Sequence, residues 1–147
     1  MVVLTEDDCR LEDFNLQGLS VRGVASIAAS CARSPREVSG RVIAAEDSAL
    51  TDAATRLGEP VKSFRSDELA SLAQWAHSVG ARQLVMPFLT RGPLSDLMDP
   101  QRSRWTASGL RLAEWQRDWD RVVWPFATSG FFKLKEKIPA LVRALGL

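Results

Sequence analysis

Between Trp115 and Lys137 the sequence sets large aromatic rings among cationic side chains. Trp115, Arg117, Trp119, Trp124, Phe131, Phe132 and Lys135 are the residues there best suited to recognising a partner. Indole and phenyl rings supply large rigid contact area, and the aromatic and arginine content matches that of docking surfaces. The same composition could stack against a nucleobase or a flavin ring. A simpler use is also open, since large aromatics are usually buried for their apolar area. Trp119, Trp124, Phe131 and Phe132 would then close a core across a sheet, leaving the alternating Lys133, Lys135 and Lys137 as a wetted face.

A second set sits where the sequence predicts that strands hand over to loops. The acidic triplet Glu6-Asp7-Asp8 follows an apolar run, and Arg91 stands just before Gly92-Pro93, where a helix can start. A guanidinium beside free helix amides suits an anion, and the acidic cluster could flank a cation or a base, so Arg91, Gly92 and Asp7 are the ligand or anion candidates. An ordinary turn with a solvated arginine explains the same residues. No G-x-G-x-x-G loop and no G-x-x-x-x-G-K-[ST] loop is present, so dinucleotide and triphosphate binding lack their usual support. His77 is the sole histidine, and Cys9 and Cys31 lie in separate segments. That leaves neither a zinc-ligand set nor a Cys-His pair, and a disulfide is not expected in a reducing compartment. A thiol-dependent enzyme using Cys9 or Cys31 stands only as a third alternative.

The elements that must carry these residues alternate. Val2-Val3-Leu4 reads as a buried strand, Val21–Ala29 as a second up to the break at Ser34-Pro35, and Arg41–Ala45 as a third apolar run. Asp47 or Ser48 is then placed to cap a helix with Leu50, Ala53, Ala54 and Leu57 on one face and Gly58 as its stop. Ser66 to Gly80 reads as the clearest helix, with Leu69, Leu72, Ala73, Ala76 and Val79 in helical period. The continuous apolar run Gln83–Leu89 follows as a parallel strand, Pro93 opens another helix, and Leu110–Trp115 alternates as an edge strand. From Arg117 on the chain reads as helical with an interruption at Pro139. The fold expected is one three-layer, Rossmann-like α/β domain over residues 1–147, with a mostly parallel sheet of about five strands and helices on both faces. Ligands of such sheets sit outside the carboxyl ends of the strands, here near Thr5–Asp8, Ser30-Cys31, Glu46-Asp47 and Thr90–Gly92.

Composition narrows the function classes. The 147 residues are 46% hydrophobic and 25% charged, with 19 basic against 18 acidic side chains and a net charge of +1. A chain of this size buries about 70% of its unfolded surface and needs no metal or disulfide to fold. Near-neutral charge argues against holding a nucleic acid backbone unaided. No apolar run approaches the roughly 20 residues that cross a bilayer, and the amino end lacks the basic start and apolar stretch of a signal peptide. A cytoplasmic protein without a membrane association is the expectation.

The string Arg117-Asp118-Trp119-Asp120-Arg121-Val122-Val123-Trp124-Pro125, with Gly130-Phe131-Phe132 and Lys135-Glu136-Lys137-Ile138-Pro139, resembles the end of a group of bacterial photolyase-like and cryptochrome-like flavoproteins. Leu4–Asp8, Val85–Phe88 and Gly92–Asp96 agree, so the likeness runs through nearly the whole chain. The resemblance implies an accessory α/β domain that packs against a helical FAD-binding domain of a light-dependent DNA repair enzyme or photoreceptor. FAD, contact with DNA and any deoxyribodipyrimidine photolyase activity would belong to that partner, since the helical half has no counterpart here. No catalytic or metal-binding residue is carried over. A free-standing small-ligand or nucleotide-binding domain, using the edge around Thr5–Asp8 and Thr90–Gly92, is the alternative.

Overall fold

Val2, Val3 and Leu4 are shut off from water on both sides, as a strand in the middle of a parallel sheet requires. In the computed structural model, which describes every residue except Asn15, Gln17, Glu59, Ser129 and Leu147, they form β1 (Val2–Thr5). The equally buried Val24–Ala28 is β2, Val61–Arg65 is β3, Gln83–Pro87 is β4 and Arg111–Trp115 is β5. All pairings are parallel, and the order is β3-β2-β1-β4-β5. Val2 faces both Val24 and Val85, and Gln83 through Pro87 run beside Arg111 through Trp115.

Side-chain alternation along these strands builds two cores, one on each face. Val2, Leu4, Val24 and Ala28 point to one side, where they meet Leu50, Ala53 and Ala54 of α1 (Gly40–Leu57) together with Leu11 and Phe14. Val3, Ala25, Ile27, Phe64, Leu84 and Met86 point to the other. There they meet Leu72 and Ala76 of α2 (Leu72–Ser78) and Leu94, Met98 and Trp105 of α3 (Pro93–Ala107). Five parallel strands between helical layers are the α/β architecture the sequence predicts. Trp105, 1% exposed, is the largest side chain wholly inside. Close packing also explains Gly23: a Cβ there would lie 3.0 Å from the Trp75 ring and 3.3 Å from the Pro60 carbonyl oxygen.

Several elements differ from their expected form. Arg41–Ala45 is not a separate apolar run before a helix; it is the first part of α1, with Val42 half exposed. Ser39 occupies the N-cap position, so Asp47 and Ser48 are interior residues, while Gly58 ends the helix in the left-handed conformation at φ 69°. β3 has no counterpart in the expected strands because only its Phe64 is buried, as befits a sheet edge. The segment before α2 winds first as a 3₁₀ turn, Leu69–Ser71.

The chain forms two compact units, Met1–Trp115 and Gln116–Leu147. The second is a run of short helices: α4 (Asp118–Val123), a 3₁₀ turn Trp124–Phe126, α5 (Phe131–Lys135) and α6 (Ile138–Ala144). The helical run is interrupted just before Pro139, between the end of α5 at Lys135 and the start of α6 at Ile138. Pro139 itself sits in the first turn of α6, where its missing amide costs nothing. Among the described residues, Val123 and Leu141 are the buried hydrophobic residues of this unit.

Candidate functional site

β1 lies where the strand order reverses, with β2 on one flank and β4 on the other, and its carboxyl end is therefore the topological switch point. The chain turns there at once, the Asp8 amide donating to the Thr5 carbonyl oxygen at 3.1 Å. Thr5 is completely buried, yet its hydroxyl has no hydrogen-bond partner among the described residues. Glu6 follows, accepting from Arg33 Nη2 at 2.9 Å and Nε at 3.2 Å through Oε1, while its buried Oε2 has no hydrogen-bond partner among the described residues. Burial pushes the Glu6 carboxyl above its ordinary pKa, and the neighbouring Glu46 charge adds to the rise against the opposing pull of Arg33. Asp7 takes the same guanidinium at 2.5 Å, and this pairing, followed by that with Glu6, holds Arg33 protonated more firmly than usual.

The neighbouring end of β2 is held by Glu46, a buried carboxylate of α1. Its Oε1 accepts from the amides of Ala29 and Ser30, each at 3.0 Å, and its Oε2 accepts from the Ser30 hydroxyl at 2.5 Å. Both oxygens are thus occupied. The edge carries three carboxylates and two hydroxyls with one arginine, whose Nε and Nη2 are engaged by Glu6 and Asp7. Such an arrangement repels anions and suits a ligand that donates hydrogen bonds to Thr5 and Glu6.

Across the switch point, Gly92 is the N-cap residue of α3 at φ 152°, with Pro93 opening the first turn and no side chain capping it. Arg91 is exposed and enters no ion pair among the described residues, while Asp96 places a negative charge in that turn. Asp7, in contrast, is committed to Arg33. The three ligand candidates therefore share one edge but differ in state, one paired and one free in solvent beside an open helix start.

Thiol and metal chemistry find little footing. Cys9 donates to the Thr5 carbonyl at 3.7 Å, and burial together with Asp8 and Glu6 pushes its pKa up, away from the nucleophilic thiolate. Cys31 is exposed and unpaired by any disulfide. His77 is exposed at the end of α2. Among the described residues no group of three His, Cys, Asp or Glu side chains could hold a metal ion.

The aromatic candidates divide between the units. Trp115 ends β5, half buried, with its ring centroid 6.1 Å from that of Phe14. In the second unit Arg117 precedes α4 with its Nη1 3.9 Å from Asp120, and Arg121 pairs with Asp118 at 2.9 Å. Trp124 is half buried, whereas Trp119 is 37% exposed, Phe131 64% and Phe132 76%. The last two meet edge to face, centroids 5.8 Å apart, beside the exposed Lys133 and Lys135. Closing a core is thus not what Trp119, Phe131 and Phe132 do. Phe126, 42% exposed, lies in the same aromatic segment and joins the exposed rings, though composition alone does not single it out.

No known protein family matches the chain, and neither does any curated protein or solved structure. No helix among the described residues is long and apolar enough to cross a membrane.

Proposed function

We propose that this protein is an accessory α/β domain that docks, through the aromatic and basic region from Trp119 to Lys135, onto a helical FAD-binding domain of the photolyase and cryptochrome type. The observation that carries the reading is the exposure of Trp119, Phe126, Phe131 and Phe132, four large apolar side chains within fourteen residues of one another. Large exposed apolar side chains grouped beside charge mark surfaces that partners cover. Residues 116 to 147 also carry six basic against three acidic side chains, so the docking face suits an acidic counterpart. Flavin, DNA contact and light-driven chemistry reside in the partner. Titration calorimetry of the chain into a recombinant helical FAD-binding domain of this group tests it. Saturable one-to-one binding is expected, and the absence of heat at any workable concentration overturns the reading.

A second reading, a small-ligand site at the switch point, draws on the unpartnered Thr5 hydroxyl and Glu6 Oε2. A ligand held there raises the thermal midpoint, because it binds only the folded chain. Screening nucleotides, folates and flavins by thermal shift on the wild type and on Thr5→Val separates the two readings, since a switch-point ligand loses its stabilisation in the variant and docking alone predicts no such loss.

A further inference from the structure

The amino edge of the sheet, opposite the switch point, holds an open cavity of about 370 Å³. Arg22, Arg82 and Arg111 all line it, and no described Asp or Glu does. Elsewhere in the first unit Arg10, Arg33, Arg56, Arg65 and Arg102 each reach a carboxylate within 3.1 Å, while Arg36, Arg41, Arg91 and Arg104 stand singly among the described residues and do not line this cavity. The three at the amino edge enter no ion pair among the described residues. Two of them are also fixed as neighbours by the sheet, the Arg111 amide donating to the Arg82 carbonyl oxygen at 3.1 Å as β5 starts beside β4. Like charges kept side by side without a counter-charge repel, and a bound anion removes that repulsion.

The rest of the lining is mixed, with Val2, Leu19, Val21 and Val85 forming an apolar part of the wall and Ser20 and Gln83 a polar one. Guanidinium groups beside a partly apolar wall match a molecule with an organic body and phosphate oxygens, which arginine grips with paired hydrogen bonds. The volume falls at the small end of the roughly 300–1,000 Å³ range of ligand pockets. A net charge of +1 supplies no extended basic field for a long polyanion. We propose that this cavity binds a small organic diphosphate, of the size of a nucleoside diphosphate, through Arg22, Arg82 and Arg111.

Titration calorimetry of the full chain with adenosine diphosphate, inorganic pyrophosphate and a short DNA duplex tests the proposal. Adenosine diphosphate is expected to bind at one site with a dissociation constant below about 1 mM, and Arg82→Gln/Arg111→Gln to weaken it about tenfold or more. Because both side chains are exposed, the variant should keep the wild-type circular dichroism and thermal midpoint, so the loss reads binding rather than folding. Arg22→Gln alone gives an independent loss in the same direction. The control Arg104→Gln, on an exposed arginine of α3 outside the cavity, leaves affinity unchanged. Failure of adenosine diphosphate to bind, binding undiminished in the arginine variants, or tighter binding of the duplex through the same arginines each overturns it.

Discussion

Glu46 is a charged side chain on the core-facing side of a helix, and it persists there because three donors surround it: two amides at the end of β2 and the Ser30 hydroxyl. Glu46→Ala strands those donors in a buried place, and denaturant unfolding should show a loss of about 3 kcal/mol. Glu6, one strand over, is a partly compensated charge. Its carboxyl titrates above the ordinary value of 4.5, so the folded chain takes up a proton more readily than the unfolded one. Its contribution to stability is therefore greatest below pH 4.5, declines as pH rises through the raised value and is level beyond. Glu6→Gln lacks that decline, and its stability relative to wild type, followed by urea unfolding between pH 4 and 7, should grow as pH rises. A relative stability that falls over the interval would contradict the assignment. The sequence holds a trace of Glu46's role: continuing the buried stripe Leu50, Ala53, Ala54 back by one turn lands on it, a carboxylate at an apolar position. Its partners are not legible, because the amides it accepts from lie sixteen and seventeen residues away in the chain.

At the scale of elements, the strands that are buried on both faces were the readable ones. β1 and β4 announce themselves as continuous apolar runs, β2 by its small and β-branched residues, and β5 by its alternation. β3 escapes that logic, since an edge strand with a single buried residue carries almost no hydrophobic signal. The apolar run from Arg41 to Ala45 misleads for the converse reason, being apolar yet largely exposed at the start of α1. The aromatic run was legible as unusual but not as exposed, because a ring-rich sequence reads alike whether its rings face inward or outward. Helices of six, five and seven residues are too short to present a sustained apolar stripe that would decide it. Truncation separates the two states. Phe131→Ser and Phe132→Ser should each change stability by no more than about 0.5 kcal/mol, while Trp105→Ala in the closed core should cost about 3–5 kcal/mol. Thermal or chemical unfolding reads both.

For the molecule as a whole, both hydrophobic cores are made of residues up to Trp115 alone. A chain ending at Trp115 should therefore keep a cooperative unfolding transition, followed by circular dichroism, and, on the docking proposal, lose association with a helical FAD-binding domain. A truncated chain that fails to fold would show that the last thirty-two residues are part of the scaffold rather than a docking element. The most direct test of the docking account is amide hydrogen exchange on the intact chain with and without the helical FAD-binding domain. New protection confined to residues 118–135 is the predicted result. An exchange pattern left unaltered by the partner, or protection gathered instead at the carboxyl ends of β1 and β4, contradicts it.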